Sequence, residues 1–205
     1  MPIDRLQTHC EFCGRYYLAC CHCEPASNIC HAKKVVYTDG ACSNNGDDSS
    51  AISAIGGTLG DAYLEYNWSI KIDDSMDYGQ RRTSQRAELL AAIEGLRHLV
   101  LEDDNDCRSA GGHLSQASEG TDGSFYVVAT DSEYVVKGVT QWYPKWQRNG
   151  WRTAGGTRPT NLDLFRELVE YVEDLEKNGI TVKFWYIPRR YNREADALAT
   201  AATRD

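Results

Sequence analysis

Val35-Val36-Tyr37-Thr38-Asp39-Gly40-Ala41-Cys42-Ser43-Asn44-Asn45-Gly46 runs apolar, delivers one carboxylate and then breaks into turn residues. The pattern predicts a buried strand with Asp39 at its end. An ionised aspartate is costly inside an apolar layer unless a cation or hydrogen-bond donors meet it, so the position calls for a partner. A turn-capping aspartate before Gly40 would look the same in isolation. The rest of the chain tips the balance, because three more carboxylates recur in similarly ordered settings. Glu88 lies in Thr83-Ser84-Gln85-Arg86-Ala87-Glu88, Asp131 follows Phe125-Tyr126-Val127-Val128-Ala129-Thr130, and Asp196 closes Asn192-Arg193-Glu194-Ala195-Asp196.

Downstream of the first stretch, two more strands are expected at about 53–59 and 62–72, with Gly60-Asp61 as the hairpin turn between them. From Thr83 to Leu101, Ala87, Leu89, Leu90, Ala92, Ile93, Leu96 and Leu99 recur at helical spacing, with Glu88 in the first turns. Residues 102–124 lose this pattern and gather Glu102, Asp103, Asp104, Asp106, Glu119 and Asp122 among Gly, Ser and Asn, which reads as an acidic flexible loop. A strand at 125–129, a helix from Ser132, a helix at about 161–177, a strand at 180–187 and a helix at about 192–203 follow. Strands alternating with helices after an antiparallel start imply an α/β fold, a mixed five-stranded sheet with helices on both faces.

Upstream, residues 1–32 read as a small unit distinct from the body at 33–205. Six of the eight cysteines fall between Cys10 and Cys30, with Cys10-x2-Cys13 and Cys20-x2-Cys23 in paired spacing. Two thiolates on one tight turn can take adjacent positions around tetrahedral zinc, and Gly14 helps the first turn close. Zn2+ held by Cys10, Cys13, Cys20 and Cys23 is the expectation, with Cys21, Cys30 and His31 as alternates. A segment this short builds no core without such a staple.

The chain of 205 residues with 41% hydrophobic content supports one well-buried domain plus this appendage. A formal net charge of −8 argues against a general basic coat for nucleic acid, but recognition depends on where charges cluster. No apolar run approaches the roughly 20 residues that span a bilayer, and no signal peptide opens the chain, so a soluble, intracellular monomer without membrane contact is expected. Nucleus and mitochondrion are not distinguished.

Parallel strands carry their C-terminal ends to one sheet edge, so Asp39 and Asp131 should meet there, with Glu88 and Asp196 arriving on helices. Four converging acids repel unless divalent cations compensate. Hard Mg2+ takes oxygen ligands, and a pair of ions about 4 Å apart stabilises both the attacking and the leaving oxygen in phosphoryl transfer. These acids, with Tyr37-Thr38-Asp39-Gly40, the run from Thr83 to Glu88, Ala129-Thr130-Asp131-Ser132 and Asn192 to Asp196 followed by Leu198-Ala199, resemble the type 1 ribonuclease H family over residues 33–203. The resemblance implies Asp39, Glu88, Asp131 and Asp196 as ligands of two Mg2+ ions, with Mn2+ as a substitute. It also implies attack by water on the RNA strand of an RNA·DNA hybrid, giving 5′-phosphate products.

Residues 137–158 turn locally basic, with Lys137, Lys145, Arg148, Arg152 and Arg158 interleaved with Trp142, Trp146 and Trp151 and no acid among them. Lys and Arg supply salt-sensitive phosphate contacts and aromatic faces can meet bases or sugars, while Trp142 and Trp146 at i and i+4 could equally pack the segment onto the body. The run from Gln141 to Thr153 resembles the basic protrusion of cellular ribonucleases H, which contacts the DNA strand; retroviral versions often lack it. The same resemblance implies a DNA-phosphate pocket at Arg81, Thr83 and Asn161 and minor-groove contacts from Asn45 and Gln85. Ser84 stands where the family has Asn. The family's Gly-His-Ser-Gly loop is also missing, since Ile187-Pro188-Arg189-Arg190-Tyr191 leads straight to Asn192 and leaves Arg189 and Arg190 to face the phosphate.

Two other readings compete. A noncatalytic module of the same fold would grip nucleic acid while the zinc unit recruits a protein or nucleic-acid partner, and a retroelement polyprotein could also contain such a domain.

Overall fold

The computed structural model describes residues 6–11, 13–19, 31–45, 50–60, 66–102 and 124–204. Its strands are β1 (Gln7–His9), β2 (Tyr16–Leu18), β3 (Lys33–Ser43), β4 (Ile52–Thr58), β5 (Asn67–Lys71), β6 (Phe125–Thr130) and β7 (Thr181–Tyr186). Its helices are α1 (Ser84–Leu101), α2 (Glu133–Lys137), α3 (Tyr143–Arg148), α4 (Leu162–Lys177) and α5 (Arg193–Ala202). A π-helical turn, Gly138–Trp142, joins α2 to α3, and a 3-10 turn, Arg189–Tyr191, precedes α5.

β3 is the central strand. It pairs antiparallel with β4 on one edge and parallel with β6 on the other, and β5 and β7 extend the sheet outward. Burial on both faces explains why 34–40 reads as a continuous buried run and not an alternating one. Val36, Ile55, Val128 and Val182 face α1 and α4, with Leu89, Ile93, Leu96, Phe165 and Leu168 filling that core. Val35, Tyr37, Val127 and Ala129 point the other way, toward Ile187 and Ala195 of the α5 side. The even and odd residues of one strand thus seed two cores.

Two expectations are corrected. The sheet has seven strands among the described residues, because the β1–β2 hairpin at 7–18 joins it: Tyr17 of β2 registers antiparallel with Lys34 of β3, and Arg15 bridges to Gly60. The segment read as a separate appendage therefore contributes two strands to the body's sheet. Asp39 does not end its strand. The ladder to β6 stops at Tyr37↔Ala129, but that to β4 continues to Ser43↔Ile52, so β3 runs on past the carboxylate with one edge open. Of the third strand expected at 62–72, Asn67–Lys71 forms β5, and 62–65 lie outside the described residues. Asp61, the acidic stretch 103–123, and Cys20, Cys21, Cys23 and Cys30 lie outside the described residues.

Two glycines decide how close the flanking helices come. A Cβ on Gly40 would lie within 3.0 Å of the backbone of Ala87 and Glu88, and one on Gly56 would meet the backbone of Ala195, Leu198 and Ala199 at similar range. Gly56 registers opposite Asp39. The two approaches set α1 and α5 against β3 and β4 beside the same carboxylate. Gly40→Ala should force α1 outward, destabilise the fold by about 1–3 kcal/mol and lower Tm by roughly 3–10 °C, read by thermal denaturation. A Tm unchanged within a degree would show that the contact yields without cost.

Candidate active site and nucleic-acid interface

The four acids come from four elements. Asp39 stands on β3 where the parallel ladder has stopped, Glu88 on α1 behind Gly40, Asp131 directly after β6, and Asp196 in the first turn of α5. Asp39 is 3% exposed. Burial first, then the charges of Asp131 and Asp196, push its pKa up to about 7, against a smaller opposing effect of Arg189. Burial and the charges of Asp39 and Asp131 likewise hold Glu88 well above the usual carboxylate range, although the Gly40 backbone N–H donates to it. One oxygen of Glu88, Oε2, is buried without a hydrogen-bond partner.

These features fit a divalent metal centre. Hard carboxylate oxygens face one another, their mutual repulsion is only partly offset, and a buried acceptor lacks a donor, which a cation would remedy together. Asp39, Glu88, Asp131 and Asp196 are the residues that could hold it.

Two side chains beside the acids carry positive charge or donors toward them. Arg189, 71% exposed on the 3-10 turn, pairs with Asp196 Oδ1 and lies 3.7 Å from Asp131 Oδ2. Arg190 turns aside, its guanidinium 4.9 Å from the centroid of the Tyr191 ring. Asn192, which sequence reasoning did not single out, is 1% exposed and donates through Nδ2 to Asp131 Oδ1 at 2.7 Å and to the Thr38 carbonyl at 2.9 Å. It thereby orients one acid and ties it to the backbone beside another. Its position just before α5 was visible, but an Asn there reads as an ordinary helix cap.

A second missed residue is Arg86. Its guanidinium is buried, bonded to Asp77 at 2.6 and 2.8 Å and to Asp163 at 2.8 Å, and contacts Asn161 Oδ1 at 3.5 Å. The pKa is raised: burial opposes the charge, but the two acids more than offset it. The network joins α1 to the N-terminus of α4, where Asn161, in the left-handed region at φ 55°, donates to Tyr134 Oη at 3.1 Å. Thr83 caps α1 by accepting from Arg86 N, the Ser84 N–H donates to Asn45 Oδ1 at 3.1 Å, and Gln85 and Arg81 are exposed beside them. Of the residues expected at a DNA-phosphate pocket and minor-groove edge, Thr83 and Asn161 are thus linked through Arg86, and Asn45 is tied to Ser84.

The basic segment divides by chemistry. Trp146 is buried against Phe165, Trp142 stands between Tyr134 and Trp146, and Trp151 packs on Tyr143 with Arg166 4.3 Å from its ring centroid. Gly138 lets the π-helical turn lie on Phe165, where a Cβ would clash. The tryptophans form a keel on α4. Lys145, Arg148, Arg152 and Arg158 are exposed, and Thr153 bonds Thr157 at 2.9 Å across the loop. Among the described residues no helix is long and apolar enough to cross a membrane.

A model of the RNase H family matches residues 31–204. The chain belongs to the RNase H family. Ribonuclease H1 of Rattus norvegicus is 33% identical over 169 residues, covering 80% of this chain and 48% of the rat protein. Ribonuclease H of Marinobacter nauticus is 33% identical over 178 residues, covering 84% of this chain and 95% of that protein. The chain therefore spans about half the length of the mammalian relative and nearly all of the bacterial one. In fold, it is similar to LC11-RNase H1 solved in complex with RNA/DNA hybrid, with a TM-score of 0.53 at 20% identity over 84% of this chain and 97% of that one. It is also similar to a foamy viral protease-reverse transcriptase in complex with dsDNA, with a TM-score of 0.52 at 23% identity over 83% and 93%.

The raised Asp39 pKa has a stability consequence without divalent ions. Between the unfolded carboxyl range near pH 4 and about pH 7, the folded state binds more protons than the unfolded one, so stability should fall as pH rises through that window. Asp131→Asn removes a repelling charge, so it should flatten this decline and raise Tm at pH 8. Thermal denaturation across pH in chelated buffer tests both, and a steeper decline in the variant would contradict the electrostatic account.

Proposed function

We propose that this chain is an endonuclease that hydrolyses the RNA strand of RNA·DNA hybrids and leaves 5′-phosphate ends, using two Mg2+ ions held by Asp39, Glu88, Asp131 and Asp196. One observation carries the reading: carboxylates from β3, α1, the end of β6 and α5 lie near enough to act on one another, and burial and this repulsion hold Asp39 and Glu88 above their ordinary pKa. The names of the relatives agree with it. When bound, the ions would acidify a water and stabilise charge on the attacking and leaving oxygens, and Mn2+ should serve in their place.

The chain's own residues supply orientation and grip. Asn192 holds the Asp131 carboxylate in one rotamer. Arg189 brings a permanent positive charge to the mouth of the crevice, where a leaving phosphate would pass, while Arg190 lies farther round the turn. Arg81, Thr83 and Asn161 would receive a DNA phosphate, and Asn45, Ser84 and Gln85 would lie along the minor groove. Lys145, Arg148 and Arg152 would hold the DNA backbone, with Trp142, Trp151 and Thr153 shaping that segment. Reading 2′-hydroxyls on one strand and a deoxy backbone on the other would select the hybrid. The presence of the basic segment favours a cellular type over a retroelement one.

Labelled hybrid should be cut in Mg2+ and left intact in chelator, and Asp131→Asn should abolish cutting while the protein remains folded. A wild-type protein that binds hybrid tightly yet never cuts it would establish the noncatalytic module instead. Neutralising Lys145, Arg148 and Arg152 together should weaken hybrid binding and reduce the slope of log affinity against log salt by about 0.7–0.9 for each phosphate no longer neutralised, with little change in rate at saturating substrate. An unchanged slope would make the segment a packing element only.

A further inference from the structure

The turn between β1 and β2 carries Cys10 and Cys13, and the chain enters β3 through His31. Their ligand atoms all lie within 4.8 Å of one another, with Cys13 Sγ 4.0 Å from His31 Nε2. Tetrahedral zinc, with bonds of about 2.0–2.3 Å, sets neighbouring S and N ligands about 3.6–3.8 Å apart, so small side-chain rotations would close the shell. The backbone is already folded for this. The Cys10 N–H donates to the Arg15 carbonyl at 3.0 Å, the Gly14 N–H donates to the Cys10 carbonyl at 2.7 Å, and Gly14 takes φ 66°, which suits a residue without a Cβ. Tyr17, fully buried, supports the cluster from behind, with its hydroxyl 3.3 Å from Cys13 Sγ and its ring edge-on to His31 at 4.5 Å.

We propose that Cys10, Cys13 and His31 bind Zn2+ and that this ion clamps the β1–β2 hairpin to the catalytic sheet, so that zinc stabilises the whole domain and not an independent module. The hairpin's ladder to β3 is short, one register pair, Tyr17↔Lys34, beside the bridge from Arg15 to Gly60. Next to the turn, buried Arg15 bonds Glu102 Oε2 at 2.5 Å and the Glu102 carbonyl at 2.9 Å, at the C-terminus of the helix that carries Glu88. An ion joining Cys10 and Cys13 to His31 would close the loop between hairpin and β3 and hold Arg15 in that ion pair. The three residues leave one tetrahedral position for a further ligand. The set differs from a pure four-cysteine site in using His31, the residue that leads into β3.

The full chain, purified without chelator, should carry one equivalent of zinc by elemental analysis. Co2+ added to the stripped protein should give a thiolate-to-cobalt charge-transfer band that is lost in Cys13→Ser and changed in His31→Ala. Stripping the metal should lower Tm of the single unfolding transition by about 5–10 °C, with recovery on one equivalent of Zn2+ and not on excess Mg2+. Absence of both zinc and the cobalt band overturns the site. An unaltered cobalt spectrum in His31→Ala overturns the ligand set, and a Tm indifferent to zinc overturns the clamp. All these readouts are taken without hybrid, so they stand or fall separately from the proposed nuclease activity.

Discussion

The arrangement depends on how closely two helices approach β3 and β4 from opposite sides. Gly40 admits the backbone of α1 and Gly56 admits that of α5, and Asp39 lies between them, following Thr38 on one strand and registering with Gly56 on the next. A side chain at either glycine would hold its helix away by the thickness of a methyl group and carry Glu88 or Asp196 out of the crevice. Small residues on the helices serve the same end: Ala87 on α1, and Ala195, Ala199 and Ala202 on α5, are all buried. The site is thus made by backbone packing first and by carboxylates second.

That packing carries an electrostatic cost. Bringing Asp39 and Glu88 into a buried crevice with two further acids raises both pKa values, and the fold meets the repulsion with a few donors: the Gly40 N–H on Glu88, Asn192 on Asp131, and the Arg189 guanidinium across Asp131 and Asp196. None of them saturates the cluster, since Glu88 Oε2 still lacks a partner. A site tuned only for stability would replace one acid by an amide. Retaining all four makes sense where a cation supplies the missing charge.

Much of this was legible from residue order, and the parts that were not have definite causes. The strand and helix around Asp39 and Glu88, the acid after β6 and the acid opening α5 follow from hydrophobic period and strand-end position, which local sequence encodes. The continuation of β3 beyond Asp39 was hidden because it depends on β4 extending past the end of β6, a matter of pairing partners. The hairpin was obscured by its brevity, three residues per strand, and by cysteines that suggest a metal unit more loudly than a sheet edge. Arg86 did leave a signal. It shares a helical stripe with Leu89, Leu90 and Ile93, so it had to be buried, and a buried guanidinium demands acids such as Asp77 and Asp163.

The same logic resolves how an acidic chain can face a polyanion. A net charge of −8 is a sum over surfaces that nucleic acid need not touch, and at physiological salt the field of a distant charge fades within about 8 Å. What a phosphate backbone meets is local. In the basic segment the tryptophans hold the π-helical turn and α3 against α4, which leaves Lys145, Arg148 and Arg152 exposed on a rigid support. Rigidity matters because freezing a flexible cationic loop would cost entropy at each phosphate it meets, whereas a pre-packed one loses only side-chain freedom. On the proposed reading the aromatic residues would contribute to binding by position, and the cations by charge. A duplex held there would be gripped at a fixed offset from the acid crevice, the condition for cutting one strand at a defined phosphate.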